Sequence, residues 1–342
     1  MIFLDAASSE KLHPKAKIAM LKSFDAWANP SSLSQAGKNM SYKLKECRET
    51  IKKCLNVKNN AELIFTSSAS ESNNHIFNSC DLPILISKFE HPSVYNHPKV
   101  EGVIDLNFEL IEQKIKDKKY LISISLVNNE SGIILATKEL VDFIKKFGSK
   151  VHIDASQAKN INFDYLGCDY MTLSSHKIGG PVGVAAIISK SVLSPILYGG
   201  GQEFGVRSST EAVPLISGFA AAVEEIPNRF FNDKILSDYL KSNIDKKYFF
   251  SNFVDGAFDF VDNIHCLLTY GLSGTEVFSI MDLKNIIIAY GSACSSGTLN
   301  APKILSNFDL PSKNGIRVSF SWDTSIEDLK QFVEVWKSLV FI

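Results

Sequence analysis

One lysine, Lys177, stands just after a short apolar run, Tyr170-Met171-Thr172-Leu173, with Ser174, Ser175 and His176 before it and Gly179-Gly180-Pro181 behind it. A lysine amine at a strand end can condense with an aldehyde as a Schiff base, and neighbouring hydroxyls and an imidazole can hold a phosphate. A loop lysine is more often a solvated surface residue, so support must come from elsewhere in the chain. That support is positional. Ser70 follows the apolar run 62–66, His91 follows residues 83–87, Asn129 follows residues 120–127, and Asp154 ends Val151-His152-Ile153. In open α/β sheets ligands sit at the carboxyl ends of strands, and all of these polar residues occupy such positions.

Three further stretches have chemical content. Ser67-Ser68-Ala69-Ser70-Glu71 lies between a strand and a helix, where free N–H groups and the helix dipole favour an anion. The same serine and glutamate also suit a capping box, which on these residues alone is the preferred reading. Cys294 stands in Gly291-Ser292-Ala293-Cys294-Ser295-Ser296-Gly297, a setting of small residues that suits a thiol meant to travel. Cys266, by contrast, has apolar neighbours and reads as inert packing. Arg317, in the strand-like Gly315-Ile316-Arg317-Val318-Ser319, can make a two-point contact to a carboxylate, with a surface ion pair as the ordinary alternative.

The elements that must position these groups alternate. Strand-like and helical segments follow one another across residues 61–188, which predicts an α/β fold with a mostly parallel sheet flanked by helices. Residues 13–27 have helical spacing with Ile18, Leu21 and Phe24 on one face. Further helices are expected over 41–55, 140–147 and, despite Pro214, 211–225. From about Pro227 the pattern is that of a smaller α+β unit, with strands at 266–270 and 286–289 and helices at 274–283 and 326–340. The expected division is a large domain over 12–226, and a small one from 1–11 and 227–342 that carries the cysteine loop.

Bulk properties exclude several classes. The chain has 342 residues, 45% hydrophobic and 21% charged, which is the balance of a globular protein of one large or two ordinary domains. A formal net charge of -1 gives no electrostatic footprint for nucleic acid. The six cysteines form no Cys-x-x-Cys pair, which argues against a metal site and a disulfide framework. Cys47, Cys54, Cys80 and Cys168 read as packing. The opening residues lack the apolar core of a secretory signal, and no apolar run is long enough to span a membrane. A cytoplasmic protein is expected.

Eight motifs then occur in order: NPSS (29–32), FTSSASESNN (65–74), EHPSV (90–94), VNNESG (127–132), HIDASQ (152–157), SSHKIGGPVGV (174–184), GGGQEFGVRSST (199–210) and GSACSSG (291–297). In that order and spacing the chain resembles the cysteine desulfurases, within the class V aminotransferase group of fold-type I pyridoxal-phosphate enzymes, and the subgroup with the longer cysteine loop. The resemblance covers nearly the whole chain. It implies that Lys177 carries pyridoxal phosphate as a Schiff base and moves protons at the substrate Cα. It implies that Asp154 pairs with the ring nitrogen, Gln157 with the ring hydroxyl, and that His91 stacks on the ring and serves in acid–base steps. Ser70, Ser174 and His176 would hold the phosphate, and Thr210 would reach the phosphate of the other subunit of a homodimer. Asn129 and Arg317 would bind the carboxylate of L-cysteine, and Cys294 would accept its sulfur as a persulfide. A sulfur-acceptor protein, either an iron–sulfur scaffold or a tRNA-thiolation protein, is the implied partner. The chain departs from the pattern at Ala6 after Asp5, at Ser34 in place of a histidine, at Ser70 in place of a threonine with the hydroxyl kept, and at Leu126-Val127, where a histidine often precedes the two asparagines. The chain stops at Ile342, before the further tail with which the subgroup docks its scaffold, so the resemblance carries less for that partner. A selenocysteine lyase or another class V enzyme, and a non-catalytic binding protein on the same fold, are the alternative readings.

Overall fold

The computed structural model describes residues 1–58, 60–228, 230–254, 256–291 and 301–340. The chain groups into two units. The smaller is residues 1–11, 127–134 and 227–342, and the larger is residues 12–126 and 135–226. The sequence placed 127–134 in the larger domain. The structure assigns it to the smaller unit, because Ile134 N–H donates to the Asp259 carbonyl (2.8 Å) and Val261 N–H to that of Gly132 (2.9 Å).

The first strand, β1 (Ile2–Phe3), belongs to the smaller unit. The larger unit is built on β2 (Glu62–Thr66), β3 (Ile84–Ser87), β4 (Val100–Ile104), β5 (Leu121–Ser125), β6 (Lys150–Asp154), β7 (Tyr170–Ser174) and β8 (Ala185–Ser189). Among the described residues they form one seven-stranded sheet in the order β2-β8-β7-β6-β5-β3-β4. β8 runs antiparallel to both neighbours, and the other pairings are parallel. β5, β7 and β8 are buried at every position; β7 and β8 read as short apolar runs, whereas β5 alternates isoleucine with serines whose hydroxyls bond His152 and Glu90. β4 lies at the sheet edge and is half exposed. Its charged and glycine-containing sequence gave no strand signal.

The helices of this unit are α1 (Pro14–Phe24), α2 (Gln35–Cys54), α3 (Ala69–Ser79), α4 (Pro92–Tyr95), α5 (Phe108–Ile115), α6 (Lys138–Lys146), α7 (Phe163–Leu166) and α8 (Val213–Glu224). α2 begins six residues earlier than the sequence suggested, because the Ser34 side chain accepts the Gly37 N–H (3.1 Å) and caps it. Pro214 does not break α8. It sits in the first turn, where no intrahelical N–H is required. On α1 the apolar face found in the sequence points outward: Ile18, Leu21 and Phe24 are 52%, 55% and 57% exposed, while Ala16 and Ser23 are buried. Cys54, read as packing, is exposed as well.

The smaller unit adds α9 (Phe230–Asn243), β9 (Ile264–Leu268), α10 (Gly274–Leu283), β10 (Ile286–Ile287), α11 (Lys303–Ser306), β11 (Gly315–Ser319) and α12 (Ile326–Val340). β1 pairs in parallel with β10, and β9 antiparallel with β11. Leu236 and Leu240 of α9 and Phe332 and Trp336 of α12 pack with Val318 and Phe320 in its core. Each such buried side chain contributes roughly 1.5–3 kcal/mol. A capping box, Ser273 with Glu276, starts α10. Among the described residues no helix is long and apolar enough to cross a membrane.

Candidate active site

Because β2, β7, β6, β5 and β3 run the same way, their carboxyl ends share one edge of the sheet of the larger unit. The expected cofactor-binding residues of that unit lie at or after these ends, except Thr210. Ser70 is in the first turn of α3 after β2. His91 is the N-cap of α4 after β3. Asp154 is the last residue of β6, with Gln157 three residues on, and Ser174 the last of β7, followed by His176 and Lys177 in a 3-10 turn. β6 and β7 are neighbours, with Asp154 in register with Thr172.

The turn that carries Lys177 is closed by backbone approach. A Cβ at Gly180 would meet the Ser175 carbonyl oxygen at 3.0 Å and its Oγ at 2.2 Å, and Gly179 has φ +77°, so glycine is favoured at both. Lys177 itself is half-buried. Burial, and then the charge of Lys177, push the neighbouring His176 imidazole down to about 4, so it is neutral at pH 7 and can donate one N–H.

Asp154 is the charge centre. Burial pushes its carboxyl up, but Ser156 N–H on Oδ1 (2.9 Å), Asn73 Nδ2 on Oδ2 (2.9 Å) and the nearby His152 outweigh that and hold it below the ordinary value. His152 is held neutral by burial, at about 4, between the hydroxyls of Ser123 (2.9 Å) and Thr172 (3.1 Å). A buried carboxylate kept ionised suits a cationic ring nitrogen. Next to His91, Glu90 behaves oppositely. Burial pushes it up to about 8, although Ser87 Oγ (2.5 Å) and Ser125 N–H (2.7 Å) and Oγ (2.9 Å) all reach its oxygens, and Asp154 adds to the rise. Glu90 thereby stitches the His91 turn to the ends of β3 and β5.

At the start of α3, Ser68 caps the helix by accepting the Glu71 N–H (3.1 Å). The Glu71 carboxylate accepts from Ser67 N–H (2.8 Å) and from Arg207 Nε (2.9 Å). The cap and the anion site of the sequence are therefore compatible, since the capped turn leaves Ser70 exposed beside the positive end of the helix. Arg207 and Thr210 line, with Thr66, Ser67 and Ser209, a polar pocket of about 200 Å³. Thr210 is exposed. The set fits a phosphorylated aromatic aldehyde: an amine for the carbonyl, an ionised buried carboxylate for a ring N–H, and a helix start with hydroxyls for the phosphate.

In the smaller unit, Arg317 is 2% exposed, so it is no surface residue. Nη2 donates to Asp5 Oδ1 (2.6 Å) and Ser8 Oγ (2.6 Å), and Nη1 to the main-chain carbonyl of Asn129 (2.8 Å). Arg317 and Asn129 are thus brought together, although through the Asn129 backbone. Arg317 Nε is buried with no partner among the described residues. Glu130, next in the chain, accepts Ile304 N–H (2.8 Å), and burial raises its carboxyl. Cys294 lies outside the described residues.

Sequence reasoning missed Asn73, Ser93, Glu90 and Asp5, and read Glu71 only as a capping-box partner. Two had a usable signal. Asn73 is one helical turn beyond Ser70, and so shares its face of α3. Glu90 immediately precedes His91. Asp5 had none, because its partner is 312 residues away.

Residues 2–332 match the family model described as Aminotransferase class-V. The chain is 31% identical to cysteine desulfurase IscS 1 of Archaeoglobus fulgidus, over 89% of this chain and 87% of that protein. It is 29% identical to cysteine desulfurase IscS of Dictyoglomus turgidum, over 99% and 94%. Among solved structures, a NifS-like protein from Rickettsia africae has a TM-score of 0.89 at 30% identity, with all of both chains covered. The structure of SspA in complex with cysteine has a TM-score of 0.79 at 26% identity, over 94% of this chain and 99% of that one.

Proposed function

This chain belongs to the aminotransferase class-V family, and from that membership we propose how it works as a cysteine desulfurase, taking sulfur from L-cysteine and releasing L-alanine. The observation that carries the reading is the buried, ionised Asp154 at the end of β6, one strand from the turn that holds Lys177. Pyridoxal phosphate, when bound, supplies an electron-accepting ring for the charge that forms at the substrate Cα. Asp154 would keep a proton on the ring nitrogen, and Gln157 would bond the ring hydroxyl. His91 would cover the ring face, and Ser70, Ser174 and neutral His176 would hold the phosphate.

Arg317 and Asn129 would take the carboxylate of L-cysteine. The Lys177 amine would hold the cofactor aldehyde and, with substrate bound, would move the proton at Cα. The Cys294 thiolate would attack the substrate sulfur, so that a new S–S bond forms as the substrate Cβ–S bond breaks. An unperturbed thiol near ~8.5 is only a few per cent thiolate at neutral pH, so this step needs a base or a favourable field. A homodimer is supported by the exposed Thr210 and by the outward apolar face of α1. The persulfide would pass to a sulfur-acceptor protein for iron–sulfur cluster assembly or tRNA thiolation. A reducing cytoplasm suits a chain whose described cysteines are all free.

The test is alanine and sulfide production from L-cysteine with a thiol reductant, with visible absorbance recorded alongside. The wild type is expected to be yellow and to make the two products equally. Cys294→Ala should stay yellow and make no sulfide, and Lys177→Ala should lose its absorbance band and its activity. A colourless, inactive wild type would overturn the reading.

A further inference from the structure

We propose that Asn73 and Ser93 form a hydrogen-bond relay that couples Asp154 to His91 and fixes the His91 ring proton on Nε2. Each step follows from which atoms can donate. Asp154 Oδ2 lies 2.9 Å from the Asn73 amide, and an ionised carboxylate only accepts, so the atom facing it is Nδ2. The second hydrogen of that amide goes to Ser93 Oγ at 3.0 Å. A serine hydroxyl has one hydrogen. Having accepted from Asn73, Ser93 Oγ turns that hydrogen to His91 Nδ1 at 2.8 Å. Nδ1 also accepts the Ser93 backbone N–H at 3.1 Å, because His91 caps α4. With two donors aimed at it, Nδ1 holds no proton, and the neutral ring keeps its proton on Nε2.

Asn73 is fully buried, and its Oδ1 has no hydrogen-bond partner among the described residues. A buried amide that leaves its own oxygen unsatisfied while spending both hydrogens is placed for those two bonds. Asn73 and Ser93 are therefore positioning residues, one face of which orients the Asp154 carboxylate and the other the His91 ring. The catalytic meaning of this arrangement rests on the roles proposed above for Asp154 and His91. The relay itself rests on the hydrogen-bond geometry alone.

The experiment is two-dimensional NMR of the full chain with ¹⁵N-labelled histidine rings, with and without pyridoxal phosphate, His91 being assigned through His91→Gln. The wild type should show Nε2 protonated and Nδ1 as a hydrogen-bonded acceptor. Ser93→Ala should move the Nδ1 resonance toward that of a less strongly bonded acceptor, and Ser93→Thr, which keeps the hydroxyl, should restore it. Asn73→Asp places an acceptor against Ser93 Oγ and draws its hydrogen away from Nδ1. It should reproduce the Ser93→Ala shift without touching His91, and add nothing in the Ser93→Ala background. A protonated Nδ1 in the wild type, an unmoved resonance in Ser93→Ala, or additive shifts in the double variant would each overturn the relay. If Asn73→Asp fails to fold, the Ser93→Ala and Ser93→Thr pair decides alone. A chain that shows these shifts but makes no sulfide keeps the relay and loses the desulfurase reading. An active enzyme with Nδ1 protonated loses only the relay.

Discussion

Glu203→Gln tests how the segment that presents Arg207 and Thr210 is held. Glu203 is 5% exposed and receives three donors: Arg48 Nη1 (2.9 Å) and Phe65 N–H (2.8 Å) on Oε2, and Arg48 Nη2 (2.8 Å) on Oε1. Arg48 also donates to the Leu63 carbonyl and lies between the rings of Phe65 and Phe204, 4.8 and 4.9 Å from their centroids. A glutamine must set its NH₂ where one carboxylate oxygen stood. The less costly choice opposes Arg48 Nη2, and the other opposes two donors at once. Either way one buried donor faces a donor, and the guanidinium loses its counter-charge. Breaking a buried pair from one side costs about 3–5 kcal/mol. At about 2–4 °C per kcal/mol for a unit of this size, the melting temperature should fall by roughly 6–20 °C. The backbone sharpens the expectation. Glu203 and Phe204 have φ of +47° and +61°, strained for residues with side chains, so a segment that loses the ion pair also has that strain to release. The assay is thermal denaturation followed by circular dichroism for the wild type, Glu203→Gln, Arg48→Met and the double variant Arg48→Met/Glu203→Gln. The double variant should cost less than the sum of the singles, because no charge is left unpaired. A cost below about 1 kcal/mol for Glu203→Gln, or strict additivity, would refute the reasoning.

Three further outcomes are expected. Asp154→Asn sets an amide N–H against either Ser156 N–H or Asn73 Nδ2 and removes the charge proposed to face the ring nitrogen. Absorbance titration should show weakened pyridoxal-phosphate binding, and desulfurase turnover should fall by roughly 10²-fold or more. Glu90 has a folded value of about 8 against an ordinary 4.5, so the folded state binds the extra proton between those values. Its contribution is complete below pH 4.5 and is lost as pH rises through 8, at up to about 1.4 kcal/mol per pH unit. Glu90→Gln should flatten that decline in urea midpoints measured from pH 5 to 9, and an unchanged slope would count against the burial argument. Arg317→Lys keeps the charge but loses the fork that serves Asp5, Ser8 and Asn129 at once. If Arg317 binds the substrate carboxylate, the KM for L-cysteine should rise about 10–100-fold, the equivalent of roughly 1.5–3 kcal/mol, with kcat changed far less.

What could be read in the sequence was whatever local patterning expresses. Strands buried on both faces show as apolar runs, and a polar residue directly after such a run marks a sheet edge where ligands bind. This is why Ser70, His91, Asp154 and Lys177 stand out in the amino-acid sequence alone. The α1 stripe shows the limit of that logic. Periodicity identifies an apolar face but carries nothing about what covers it, and Ile18, Leu21 and Phe24 point away from their own unit. The supporting bonds were illegible for a different reason. Asn73 meets Asp154 across 81 residues and Arg48 meets Glu203 across 155, and no spacing rule links such pairs. Pro214 misleads only if it is read as a helix breaker rather than as a first-turn residue.

The bond between Asp5 and Arg317 has a consequence in time. During synthesis Asp5 and Ser8 emerge about three hundred residues before the arginine they orient, which at 5–20 residues per second is a wait of roughly 15–60 s. The seven-stranded sheet, whose last strand ends at Ser189, can form well within that interval. A nascent chain can therefore complete the cradle expected to hold a cofactor while the arginine expected to grip substrate has not yet been made. On the roles proposed above, a chain ended early would carry the residues expected to hold the cofactor but not the arginine expected to orient the substrate, and β1, left without β10, would be an unpaired edge open to pairing with another chain.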